Sequence, residues 1–339
     1  MIKPKLVLAG LMLLAQHALA ANTNELTEAS ICLFDPVGES GDMYALMKDY
    51  RTEIRAWGVD LKLKPFDNES VIVDKFKAGQ CDAIAVTGIR ARDFNQFTST
   101  IEAVGALPEY ADVRLLFEQL ANAKLAKYMT QGEYEVAGIM PAGNIYTFLR
   151  DRTWAEEGLQ DNLQGKKVSV FQGDSVSFEM VRQMGAVPVL VDTSSFAGKF
   201  NNGAVDITFS PSVAYEPFEL YRGLTPNGVI LRNPVAQLTF QMIIRKDKFP
   251  EGFGQHSREY AFERMGFAMQ FIHLTEKRIP EEHWGELKLR EQGAVNEMMR
   301  QARIKLREED VYSAKMLTLL RKVRCKRDPR HFECTDKSE

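Results

Sequence analysis

Two hydrophobic periods alternate along the chain. Ile31 to Phe34 is a short apolar run of strand type, followed by a turn-rich loop from Asp35 to Asp42. Helical spacing then covers residues 43–57, with Ser40 or Asp42 placed to cap it and Gly58 to close it. Residues 60–65 alternate apolar and polar, as a half-buried strand does. A second helix is predicted over 69–78, ending at Gly79. Residues 81–87 form a mostly apolar strand of the buried parallel type, with Asp82 as its one charge. This β-α-β-α-β order predicts a doubly wound sheet.

The pattern repeats after an extended segment at 134–140. Strands are predicted at 166–171, 187–191 and 205–209, with helices at 176–184 and 196–200 between them. A late strand covers 237–245, and from Gly252 the chain reads as helical, with a long amphipathic stretch at 257–277. The expected fold is α/β with two lobes, each a doubly wound sheet. Residues 29–137 and a return strand near 235–250 make the first lobe and 138–232 the second. Helices within 251–325 brace both, and 326–339 form a tail. The basic stretch from Arg300 to Arg330 is mixed with acids and reads as a solvated helical face.

The first twenty residues read as an address. Lys3 and Lys5 precede an apolar run from Leu6 to Ala15, and Ala18-Leu19-Ala20 gives a small-x-small cleavage site. The run is too short to span a bilayer, which takes about 20 residues. Residues 1–20 are therefore expected to be a cleaved signal peptide, and the mature protein periplasmic. The 339 residues are 45% hydrophobic and 26% charged, with net charge −3. Such a balance excludes a disordered chain and argues against a nucleic-acid binder. Four cysteines suit an oxidising compartment. Of three possible pairings we expect Cys32–Cys81, across the openings of neighbouring strands, and Cys325–Cys334 in the tail. No cofactor or metal is expected: no CxxC pair exists and the five histidines are scattered. Glu281, Glu282 and His283 are adjacent, so on a helix they would point apart.

Four motifs in order resemble the periplasmic solute-binding components of TRAP transporters. They are Gly79-Gln80-Cys81-Asp82-Ala83, Leu163-Gln164-Gly165-Lys166-Lys167-Val168, Met184-Gly185-Ala186-Val187-Pro188-Val189 and Asn202-Gly203-Ala204-Val205-Asp206. The resemblance covers about residues 31–309. More narrowly, the chain resembles a divergent branch of solute-binding proteins, some of which carry efflux-accessory names such as AdeT. It implies a two-lobe periplasmic binding fold of the second type and no catalysis. It also implies capture of a small solute between the lobes and delivery to membrane transporter subunits. In that family an arginine two residues after the lysine of the second motif clamps the ligand's carboxylate. Here that position is Ser169, and a hydroxyl cannot replace a bidentate guanidinium.

Ligands of open α/β sheets sit beyond the C-terminal strand ends. After the first predicted strand these are Asp35, Glu39 and Ser40, whose acids suit a cationic or hydroxyl-rich ligand. After the third they are Thr87, Arg90 and Arg92, where Gly88 lets the backbone turn close to a ligand. In the second lobe they are Phe171 and Gln172, then Ser210, Tyr215 and Glu216, with Tyr215 able to stack and hydrogen-bond; Ser169 joins them as the position of the family's clamping arginine. Two other functions compete. One is an accessory of an efflux or envelope system. The other is a serine hydrolase, because Gly173-Asp174-Ser175 and Asp328-Pro329-Arg330-His331 resemble SGNH hydrolase blocks. Against it, the serine block lies mid-chain and the G-x-N-D block is absent.

Overall fold

A computed structural model describes residues 26–336 and residue 338; the leader read at 1–20 lies outside the described residues. Ten strands of the described residues form one sheet. They are β1 (Thr27–Phe34), β2 (Val59–Phe66), β3 (Ala83–Thr87), β4 (Thr130–Gln131), β5 (Tyr134–Leu149), β6 (Lys167–Phe171), β7 (Val187–Val191), β8 (Ile207–Pro211), β9 (Val229–Arg245) and β10 (Trp284–Gly285). The order is β2-β1-β3-β9-β5-β8-β6-β7, with β10 beside β9 and β4 beside β5. The first half holds β1 to β3 in parallel, and the second holds β6 to β8 in parallel.

The expected β-α alternation and the long C-terminal helices are present. The halves are not separate sheets, however. β5 and β9 are each far longer than the predicted segments at 134–140 and 237–245, and they run antiparallel from one half into the other. Their register shifts between Val136 and Gly138, Pro141 and Gly143, and Ile145 and Thr147. Such irregularities bend a strand and raise its twist.

Local chemistry fixes the short elements. Asn68 caps the helix Glu69–Lys77 through bonds from the Ser70 and Val71 N–H groups (2.9 and 3.4 Å). Its Ile72, Val73 and Phe76 are buried in the first-half core. The predicted cap of the first long helix is corrected. Gly41, not Ser40 or Asp42, is the cap residue of Asp42–Ile54. The carboxylate of Asp35 accepts from the N–H groups of Val37 and Tyr44, both at 2.9 Å, and so ties the loop to the helix start. β3 begins at Ala83 rather than Cys81. The Cys32–Cys81 bridge still forms, with Cα atoms 5.9 Å apart.

Two C-terminal helices join the halves. Phe253–Arg278 contributes Phe253 to the outer first-half core and packs along β5, and the chain just after it places Ile279 in a second-half core. Leu289–Glu308 places Val295 and Met299 in a second-half core and Leu306 in the first. Ala314–Arg327 packs on the first half through Leu317 and Leu320.

The solvated reading of the basic stretch is overturned at two positions. Arg303 and Arg324 are buried because Glu333, held by the Cys325–Cys334 bridge, accepts from both. The distances are 2.8 Å from Arg303 and 2.7 Å from Arg324. The same arginines donate to the carbonyls of Val104 and Ala106, each at 2.8 Å. Removing one member of a buried ionic group leaves the others uncompensated. Glu333→Gln should therefore lower unfolding free energy by about 3–5 kcal/mol. Chemical denaturation measures this, and a loss below about 1 kcal/mol would mean that the tail is not tied to the fold this way.

Candidate functional site

A cavity of 540 Å³ lies where the two halves meet. Its walls come from the segments after β1, β3 and β8, from β6, from both crossing strands and from two C-terminal helices, with Tyr312 beyond the second. Of the residues singled out in the sequence, it gathers Asp35, Thr87, Arg90, Arg92, Ser169, Phe171, Ser210 and Glu216.

Several of these already have partners. Asp35 is 1% exposed, and its carboxylate is engaged as described. Thr87 donates its N–H and hydroxyl to Glu69, at 2.6 and 3.1 Å. Ser169 is buried and hydrogen-bonded to Thr208 through the two hydroxyls at 2.6 Å. The ring of Phe171 lies 5.5 Å from that of Phe196. Glu216 is exposed and 3.6 Å from Arg278. The others do not line the cavity. Glu39 and Ser40 form an exposed turn outside it. Tyr215 packs into a second-half core, with its hydroxyl 2.7 Å from His283 Nδ1. Gln172 takes part only through its backbone: its carbonyl accepts from Arg90 Nη1 across the gap at 2.7 Å.

Arg92 behaves differently. Its guanidinium faces the ring of Tyr312 at 5.8 Å, and its Nε is buried with no hydrogen-bond partner among the described residues. A buried unpaired N–H costs free energy, and this one lies too deep for an acceptor to reach without a shift of its neighbours.

Two acids that shape the site were not anticipated. Glu69 stands beyond the C-terminal end of β2, so the strand-end rule that reached Asp35 would have reached it. Glu102 carries no local signal. Its Oε1 accepts from Gly88 N–H (3.1 Å) and from Thr239 N–H and hydroxyl (both 2.7 Å), while its Oε2 is buried with no hydrogen-bond partner among the described residues. This also corrects the role of Gly88. A Cβ there would lie 2.4 Å from Glu102 Oε1, so the glycine makes room for a buried carboxylate, not for a ligand.

Burial pushes the Glu102 carboxyl up to about 7, against the bonds from Thr239 and Gly88 and the nearby Arg92 charge. Burial also raises Glu69, against its bonds from Thr87 and the charge of Arg90. Asp174, the other acid at the second-half strand ends, caps the helix Ser175–Gln183 by accepting from Ser177 N–H at 3.1 Å. His331, the histidine of the hydrolase reading, lies in the tail with Nδ1 3.9 Å from Glu333.

The raised acid gives a pH prediction. Between the ordinary carboxylate value and about 7, folded Glu102 holds a proton that the unfolded chain has lost. Its contribution is complete at low pH and fades as pH rises through that window. Wild type should lose roughly 3 kcal/mol relative to Glu102→Gln between pH 4.5 and 8. Glu69 remains in both proteins and drops out of the comparison. Parallel stability curves from urea titrations would contradict this account of Glu102.

Comparison with known proteins gives consistent results. Residues 51–339 match the family model "Solute-binding protein AdeT 1/2". The chain is 40% identical to "Probable solute-binding protein AdeT1" of Acinetobacter baumannii over 302 residues, which is 89% of this chain and 98% of that one. Among solved structures it resembles a TRAP periplasmic solute-binding protein of Desulfovibrio salexigens with bound orotic acid. The TM-score is 0.71 at 14% identity, covering 88% of this chain and 99% of that one. It also resembles one of Shewanella oneidensis with bound succinate, with TM-score 0.67, 12% identity and coverage of 87% and 98%. The chain thus has the fold of TRAP periplasmic binding proteins, and it belongs to the AdeT 1/2 family of solute-binding proteins.

Proposed function

We propose that the protein, exported to the periplasm, captures a small anionic solute between its two halves and hands it to a membrane transporter. One observation carries this reading: a single cavity is walled by both halves, with arginines from one half reaching into it. Arg90 lies in the short helix Gly88–Ala91 after β3, Arg92 ends it, and Arg278 approaches from the helix Phe253–Arg278. They offer positive charge where Ser169 withholds it. That two structural neighbours hold orotic acid and succinate supports an anionic ligand class. No helix among the described residues is long and apolar enough to cross a membrane, so delivery would need a separate membrane partner.

The mechanism is closure. A solute that touches both walls favours the closed arrangement by its differential affinity for it. The Arg90 bond to the Gln172 carbonyl, from one half to the other, would add to that preference.

Native mass spectrometry of the purified protein should reveal a co-purified small anion at one per chain. Arg90→Ala should weaken that anion by about 1.5–3 kcal/mol, the scale of a hydrogen bond to a charged group. Calorimetric titration reads the loss. Unchanged affinity would remove Arg90 from the site. A protein with no co-purified molecule and no thermal shift across a panel of small anions would refute the proposal.

A further inference from the structure

We propose that the solute is amphipathic, with an anionic group seated at Arg92 and an alkyl or aromatic body held in an apolar recess beneath the second half of the sheet. This rests on the solute-binding reading and specifies its ligand class.

The cavity does not stop at the gap between the halves. Its wall includes Leu159, Leu163, Met184, Val295, Met298 and Met299. All six belong to, or pack on, the apolar cluster between β6 and the helix Leu289–Glu308. They come from three parts of the chain: the region of the short helix Leu159–Asn162, the end of Ser175–Gln183, and Leu289–Glu308. A protein core ordinarily closes to crystal-like density. Here the cluster instead borders open volume continuous with the site. Three of the six are methionines, whose flexible thioethers repack around varied apolar shapes.

Arg92 stands where the polar and apolar parts meet. It faces Tyr312, and both are cavity residues, as is Val104, which packs on the apolar cluster. An anion seated against the cavity-lining part of the Arg92 guanidinium would have its carbon body beside that cluster. Glu102 lines the same place, with Oε2 unpaired among the described residues. As an anion it would oppose a carboxylate. Protonated, as its burial favours, it would donate to one. A small dicarboxylate would satisfy Arg92 and leave the recess empty, whereas a monocarboxylate with a longer body would fill both.

The test is calorimetric titration of the full mature chain at pH 6 with saturated monocarboxylates from butyrate to dodecanoate, each below its micelle concentration, and with succinate. Affinity should rise about fourfold per added CH₂ and then level off when the recess is full. Met298→Trp, which narrows the recess, should move that plateau to shorter acids. Leu159→Phe serves the same purpose if the first variant does not fold. Affinity that is flat or falling with chain length while succinate binds would overturn the recess and leave the solute-binding reading standing. A plateau unmoved in a folded variant would also overturn it, because the tails would then lie elsewhere. Binding of no carboxylate, with no co-purified molecule, would overturn both.

Discussion

Both halves of the molecule depend on one pairing, that of β5 with β9. It runs from Tyr134 opposite Arg245 to Leu149 opposite Val229. Each strand belongs to the first half at one end and to the second at the other, so the two cores share a backbone ladder. The three register shifts are spread along this crossing. There a polar knot holds it: the hydroxyls of Tyr110 and Tyr146 both donate to Glu276, and Asn144 N–H donates to Tyr110 at 3.1 Å. A continuous but irregular pair of strands can flex without unpairing. That suits the proposed closure, in which the two walls approach each other while their strand ends stay aimed at one space.

Within that frame, buried acids set the direction of the arginines. Glu69 grips Thr87, and Glu102 grips Gly88 and Thr239. The turn from β3 is thereby bound to the neighbouring helix and to the crossing strand β9. Arg90 and Arg92 follow it directly. Two desolvated carboxylates are costly, and their raised proton affinity reflects that cost. What they provide is a fixed loop beside the gap between the halves.

The sequence disclosed what is local. Hydrophobic periods located most strands and helices, and the C-terminal-end rule reached seven residues that line the cavity from its two sides, with Ser169 reached by the family resemblance. The crossing strands were underestimated because their middle parts break the pattern. Pro141 lies at a register shift, and Arg232, Asn233 and Pro234 interrupt the apolar run of β9. Proline and polar residues inside a strand read as its end. Pairings distant in sequence were equally hidden. Glu102 meets Thr239 across 137 positions, and Arg303 meets its partner Glu333 only after the chain has turned back through the tail bridge. Tyr215 followed the strand-end rule and still faced the core, since that rule locates a backbone but not the direction of a ring.

Ser169 then acquires a physical role. An arginine on β6 would bring its charge, and its need for hydrogen bonds, into the second-half wall. The short hydroxyl instead satisfies itself on Thr208 and leaves that wall without a demand for a ligand's polar atoms. Its strand neighbours Val168 and Val170 remain in the apolar cluster that borders the cavity. Positive charge is supplied from the opposite half, on a loop held by buried carboxylates. Moving the charge off the strand keeps apolar side chains around Ser169 on one wall and puts two arginines, among the acids Asp35, Glu69 and Glu102, on the other. Polarity therefore differs from one side of the gap to the other, and on the proposed reading a guest with a single charged end would satisfy both sides better than one charged at both ends.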